Sequence, residues 1–308
     1  MTYSIVARDE ETGQLGVAVQ SHFFGVGSLV PWARAGVGVV ATQSVLDPRY
    51  GERGLQLMSE GMAGHAALDS ILADDVRAHL RQVAVLGADG SHAGHTGANC
   101  VGHAGHAASR SARAQANMVV GPAVWHSMIE AFESATGAFP DRLLDSLRAA
   151  ESSGGDLRGR QAGAVLIVGG EATGDLTKDL VLDLRVDDHD DPVGELARLY
   201  AASRSLSGLL GLLEADGLLA GEFTADESLI ASALAELATA QELAGSANHE
   251  PTVWRGLLLA RAGLFAEAKE HFYRARATNP RVHEFVIQLA LSGMWTRPMR
   301  ELEEVLPD

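Results

Sequence analysis

Short β-compatible apolar runs occupy residues 3–7 and 15–19, and the RDEETGQ between them puts acidic residues and Gly13 where a hairpin turns. A third run, VGVVATQS from Val37, follows VPWARAG, which reads as a loop. YGERGLQLMSEG and GHAALDSILADD then place Leu, Met and Ile at helical spacing, separated by Gly61 and Gly64. RQVAVL (81–86) and the segment around SHAGHTG read as a second strand pair across GADGS. Two more helices follow, PAVWHSMIEAFESA and PDRLLDSLRAAESS, each with Pro at or near the first turn, where its missing N–H costs nothing. AGAVLIVGG and DLVLDLRVDD return to strand. Strands, helix pair, strands, helix pair, strands is not the βαβα alternation of a parallel sheet. The order predicts an α+β domain with two antiparallel sheets between layers of helices.

Beyond the acidic, Pro-terminated DDHDDP the composition turns to Leu, Ala and Glu with almost no strand signal. This predicts a boundary after Pro192, giving domains of residues 1–192 and 193–308. Within the second, VWRGLLLARAGLFAEAKEHFYRARATNP spaces Trp254, Leu257, Ala268, Phe272, Ala275 and Pro280 as a tetratricopeptide (TPR) repeat does, with a shortened turn at Gly263. Generic helical hairpins produce a similar pattern. One repeat cannot bury its own face, so it needs the helices around it. Trp254, Leu257, Phe272 and Trp295 predict more apolar face than one short bundle uses, hence a homo-oligomer or a protein partner docked on the tail.

At 308 residues and 46% hydrophobic the chain can fill a real core. Its formal net charge of −16 argues against nucleic acid, which needs clustered Lys and Arg. No apolar run is long enough for a membrane helix, and a single cysteine, Cys100, fits a reducing compartment. The expectation is a cytoplasmic protein without membrane contact.

The most suggestive chemistry lies at Thr2. Removal of Met1 would put a free α-amine beside the Thr2 hydroxyl, and an α-amine with an ordinary pKa of roughly 7.7 to 8 can take the hydroxyl proton. Many chains also begin Met-Thr by chance.

TYSIVARDEETGQLGVAVQS, VPWARAGVGVVATQS, YGERGLQLMSEG, RQVAVLGADG, HTGANC, AGH and GGDLRGRQAGAVLIV together closely resemble the DUF1028 family, grouped with the N-terminal nucleophile (Ntn) hydrolases. The resemblance covers about residues 2–192. It implies a four-layer αββα sandwich whose first strand presents Thr2 as nucleophile, followed here by an all-α, TPR-like tail. It also implies that Ser21 and His22 flank the nucleophile, with Thr42, Gln43 and Ser44 ending the third strand nearby. In GGDLRG, Asp156 and Arg158 can hold a substrate's ammonium and carboxylate, or simply pair to tie the loop.

His92, His95, Cys100, His103 and His106 invite a metal reading, but their spacing fits no strand face, and His92 and His103 depart from the family pattern. No metal or other cofactor is expected. His106 and Gln115 read as pocket lining, and Asn117 as an oxyanion-hole donor. Relatives tend to show Tyr-x-x-Gln-Gly-Asn where this chain has ARAQAN, so the Tyr and Gly of that pattern are missing from its pocket lining. The implied function is hydrolysis of a small amide; the alternative is a non-catalytic ligand-binding domain with a TPR-like interaction module.

Overall fold

Two antiparallel sheets organise the first 198 residues in the computed structural model, which describes residues 2–307. Strands β1 (Thr2–Arg8) and β2 (Leu15–Ser21) form the first hairpin, and β3 (Pro31–Arg34) and β4 (Gly38–Ser44) the second. Helices α1 (Arg49–Ser59) and α2 (Gly64–Ala73) lead into β5 (Arg81–Gly87), β6 (His92–Thr96), β7 (His103–Ala108) and β8 (Ala112–Val119). Then come α3 (Ala123–Ser134), α4 (Phe139–Ser152), β9 (Ala162–Val168), the single turn α5 (Leu176–Asp179) and β10 (Leu180–Val186). The strand orders are β10-β9-β2-β1-β8-β7 and β3-β4-β5-β6.

Alternation along the strands sorts the side chains into layers. Val6, Val17, Val19, Val39, Ala41, Ala84 and Leu86 meet between the two sheets. Val40, Val83 and Val85 point the other way, onto Tyr50 and Leu55 of α1 and Leu68 and Ile71 of α2. Helices α3 and α4 pack on the far face of the six-stranded sheet and bury Met128, Phe132, Phe139 and Leu143. Each such side chain contributes about 1.5–3 kcal/mol. At Gly16 of β2 an added Cβ would come within 2.7 Å of Leu143, so this glycine sets how closely α4 approaches the sheet.

Two expectations need correction. VPWARAG is not a loop: Pro31–Arg34 is a strand, paired with β4 alone. Its signal is weak because it is a four-residue edge strand with proline in first place, where no ladder bond is lost. The β7–β8 hairpin was not foreseen either, because HAGHAA and ARAQANMV are rich in Ala, Gly and His rather than β-branched residues. Packing explains part of that composition: a Cβ at Gly105 would sit 2.5 Å from the Trp125 ring of α3.

The second unit begins at Leu199. The division therefore falls inside α6 (Pro192–Glu214) rather than at its start, consistent with Leu196, which is buried and lies against Gly163 of β9. After α6 come α7 (Glu227–Ala244), α8 (Glu250–Arg261), α9 (Phe265–Arg276), α10 (Val282–Leu289) with a π turn over Ala290–Met294, and α11 (Met299–Glu303). Trp254, Leu257, Phe272 and Trp295 all lie in this unit's own core, which removes the outward apolar face expected of them. Trp254 meets Phe285 of α10 edge to face at 6.3 Å, and a Cβ at Gly256 would touch the Phe272 ring, so α8 and α9 pack closely. Arg261, 3% exposed, donates to the carbonyls of Leu218, Gly221 and Met294. Among the described residues no helix is long and apolar enough to cross a membrane.

Candidate active site

The layer between the sheets is apolar toward one end and polar toward the other. Thr2 and Ser4 share a face with Val6, Ser21 with Val19, Gln43 with Ala41 and Gln82 with Ala84. On β8, Gln115 and Asn117 lie opposite Ser4 and Thr2 in register. Thr2 is 8% exposed and the other six of these side chains at most 1%. None of them carries a charge.

Their hydrogen bonds form one continuous network centred on Gln82. Its Oε1 accepts from Gln43 Nε2 (2.8 Å) and from Asn117 Nδ2 (2.9 Å). Its Nε2 donates toward the carbonyls of Ala116 (2.9 Å) and Gly105 (3.1 Å) and toward Thr96 Oγ1 (3.1 Å). Gln43 Nε2 also reaches the Thr2 carbonyl at 3.1 Å, and Gln43 Oε1 accepts from Ser4 Oγ at 2.7 Å. Gln115 Nε2 donates to the Ala41 carbonyl (3.0 Å) and toward Ser4 Oγ (3.3 Å). These bonds sew β1 and β8 of one sheet to β4 and β5 of the other. In a water-poor layer each bond matters more than at the surface, and each unpaired atom costs more. Asn117 Oδ1 and Gln115 Oε1 are buried without a partner.

Thr2 Oγ1 lies 3.0 Å from Ser21 Oγ, its cross-strand neighbour. Among the described residues no carboxylate or imidazole is hydrogen-bonded to it. The surroundings thus offer hydroxyl and amide groups but no side-chain base.

Two non-glycine residues in the left-handed region adjoin this network: Ser44 (φ 68°), directly after Gln43, and Met118 (φ 53°), directly after Asn117. Such conformations cost about 1–3 kcal/mol and gather at functional sites. The Met118 N–H donates to the Val101 carbonyl at 2.9 Å, and the Ser44 end is held by Arg81, which lies opposite Ser44 in register. Arg81 is 1% exposed; it pairs with Asp75 (2.7 Å) and Asp47 (3.3 Å) and donates to the Val45 carbonyl. The Arg81 guanidinium is the main reason that the Asp75 carboxyl drops to about 2, and the Tyr50 hydroxyl assists.

The other expected residues separate by role. The Asp156 carboxylate, with no exposed side-chain surface, accepts from the His22 N–H (3.1 Å), the Arg158 N–H (2.8 Å) and Arg158 Nη2 (3.2 Å). These bonds tie the GGDLRG loop to the end of β2, the second of the two roles expected of Asp156 and Arg158. Gly154, Gly155 and Gly159 all adopt positive φ, which this loop path requires. His22 Nδ1 lies 3.3 Å from the Arg160 carbonyl. Thr42 faces away from the inter-sheet layer and its hydroxyl donates to the Asp47 carbonyl.

The histidine-rich segment does not converge. His95 Nε2 bonds the Ala78 carbonyl, Cys100 Sγ approaches the Arg81 carbonyl, His92 Nδ1 faces Arg113 Nε, and His103 is exposed. His106 alone joins the network, its Nδ1 2.9 Å from Thr96 Oγ1. Partial burial and the positive charge of Arg113 push its pKa below the usual imidazole value. Among the described residues no group of three His, Cys, Asp or Glu is placed to hold a metal ion.

Sequence reasoning missed Ser4, Gln82 and Thr96. The available signal was a polar residue at an inward position of an otherwise apolar strand: Gln82 alternates with Ala84 and Leu86, Ser4 with Val6.

A search of curated proteins finds no match. Among solved structures the chain is similar to a Silicibacter pomeroyi protein whose crystal structure is described as DUF1028, with 30% identity and a TM-score of 0.59. That likeness covers 65% of this chain and 87% of the other. Residues 2–196 match the family model described as a family of unknown function, DUF1028, and the chain belongs to that family.

Proposed function

We propose that the first unit is an Ntn-type amidohydrolase that cleaves a small amide through Thr2 once Met1 has been removed. The observation that carries this reading is the setting of the Thr2 hydroxyl: first residue of a central strand, nearly buried, beside Ser21 Oγ, with amide donors around it and no side-chain base bonded to it. The base is then the residue's own α-amine. The order helix pair, sheet, sheet, helix pair supports the αββα sandwich of that superfamily.

In the proposed reaction Thr2 Oγ attacks the amide carbonyl carbon while its proton passes to the α-amine. The developing oxyanion takes the Asn117 Nδ2 hydrogen that Gln82 leaves free. As the C–N bond breaks, the α-ammonium protonates the leaving amine and an ester on Thr2 remains. Water activated by the same amine attacks the ester, restoring the hydroxyl and releasing a carboxylic acid. Gln43, bonded to the Thr2 carbonyl, positions the nucleophile. The close α8–α9 hairpin supports a TPR-like role for the second unit in partner binding.

Intact-mass measurement of untagged protein should show Met1 absent, and incubation with an amide library should add an acyl mass on Thr2. Thr2→Ala should abolish both adduct and turnover while keeping the fold, and Thr2→Ser should retain part of the activity. Active protein that uniformly keeps Met1, or wild-type turnover by Thr2→Ala, would sink the proposal.

A further inference from the structure

Arg113 is a half-buried cation without a counter-ion among the described residues. It projects from the inner face of β8, two residues before Gln115, with its stem across Gly94 of β6: a Cβ there would lie 2.8 Å from Arg113 Cδ and Nη1. Its one side-chain hydrogen bond among the described residues runs from Nε to His92 Nδ1, at 3.4 Å. Three other arginines drawn into the structure are matched, Arg81 by Asp47 and Asp75, Arg142 by Asp9, and Arg261 by three carbonyls. Arg255 of the helical unit also has a buried Nε without a partner, but it belongs to α8 and not to the strands of the candidate site. The chain has 40 acidic residues, yet no Asp or Glu occurs between Asp89 and Glu130, the stretch that supplies β6, β7 and β8.

The neighbours of Arg113 extend this donor-rich character. Because His92 Nδ1 accepts from Arg113, the ring proton of neutral His92 sits on Nε2, which is therefore a donor. Thr96 Oγ1 accepts from Gln82 Nε2 and can turn its own proton onto His106 Nδ1, which puts the ring proton of His106 on Nε2 as a second donor. Burial first and Arg113 second lower the proton affinity of both imidazoles, so at neutral pH the cluster carries the one charge of the guanidinium. It lies where β6 and β7, the edge strands of the two sheets, approach each other. From there Thr96 and Gln82 lead inward to Asn117.

We propose that Arg113, with His92 and His106, forms a binding site for the carboxylate of a small organic anion at the β6–β7 edge. One planar guanidinium fork matches one planar, singly charged carboxylate, and the neutral imidazoles add donors without adding charge. The site offers a carboxylate a guanidinium without an internal carboxylate partner among the described residues, whereas that of Arg158, one of whose two expected roles was carboxylate binding, pairs with Asp156. It is defined by binding alone and does not depend on Thr2 being a nucleophile.

The test is titration of the full chain with propionate, propionamide and inorganic phosphate, read from histidine ring resonances assigned through His92→Gln and His106→Gln. Propionate should shift both rings saturably, and propionamide should not. Arg113→Gln should weaken propionate binding about tenfold or more, as loss of a charge-assisted pair does, whereas Arg158→Gln should leave it unchanged. Should Arg113→Gln fail to fold, Gly94→Ala and Arg113→Lys carry the test: the first displaces the guanidinium, the second keeps the charge without the fork, and both should weaken binding. Absence of saturable propionate binding, equal binding of propionamide, tighter binding of phosphate, or insensitivity to the Arg113 and Gly94 variants would each overturn the assignment.

Discussion

Two glutamines, Gln20 and Gln82, are both fully buried, and the structure predicts opposite consequences for replacing them by leucine. Gln82 bonds two side-chain donors and reaches three acceptors. Gln20 lies on the other face of the six-stranded sheet, between Tyr3 and Gly163 in register, and neither its Nε2 nor its Oε1 has a partner. In Gln82→Leu the Asn117 amide loses the acceptor of its Nδ2, a desolvated donor left unpaired at about 1–3 kcal/mol. Gln43 keeps its bond to Thr2, so the remaining losses are smaller, and added apolar burial offsets part of them. The expected net destabilisation is about 2–4 kcal/mol. In Gln20→Leu no bond is lost and the desolvation of an unpaired amide disappears, so after repacking stability should change by about zero to +2 kcal/mol. Hydrogen exchange followed by mass spectrometry across a urea series, on peptides from β5 and β8, measures the first unit without interference from the helical unit. If the two variants lost stability equally, the network would not be what holds the sheets together at this end.

Asp75 should make the first unit acid-sensitive in a defined window. Its folded pKa of about 2 lies below its unfolded value, so its contribution is complete above about pH 4 and is lost as pH falls toward 2. The stability difference between wild type and Asp75→Asn, from urea titrations at stepped pH, should therefore shrink across that interval and stay constant above it. A chain ending at residue 198 keeps Val193 and Leu196, both buried, whereas one ending at residue 192 loses them, at about 1.5–3 kcal/mol each. Of the two truncated chains the longer should melt at the higher temperature; equal melting would show that these residues contribute nothing to the first unit.

Legibility of the fold followed apolar content. Runs such as YSIVA and AGAVLIV bury one or both faces and announce themselves, as do helices with an apolar stripe. The β7–β8 hairpin stayed hidden because its strands are built of small and polar residues: Trp125 covers Gly105 on one face, and the other face carries Arg113, Gln115 and Asn117. Strands that line a site give up the alternation by which strands are recognised. Thr2, Ser21, Gln43, Gln115 and Asn117 were each visible in the sequence, but their union was not. Gln82 joins them through residues far apart in the chain, and the register of β4 on β5 and of β1 on β8, with β5 stacked on β8 across the sheets, brings it there.

The charged candidates teach the complementary point. Asp156 and Arg158 drew attention because an acid and a base stand two residues apart in a glycine-rich loop, and that proximity also lets them pair with each other. Closing so short a loop costs little entropy, so an external ligand has to compete with a partner already in place. Arg113 has the reverse situation. Its nearest acidic residues in sequence are Asp89 and Glu130, and among the described residues no carboxylate pairs with it. In a protein with a surplus of carboxylates, a half-buried guanidinium that pairs with none of them among the described residues retains its capacity for an anion from outside. Under the proposed assignment, the absence of Asp and Glu from residues 90–129 points to a ligand's charge in this chain more directly than the DLR triplet does.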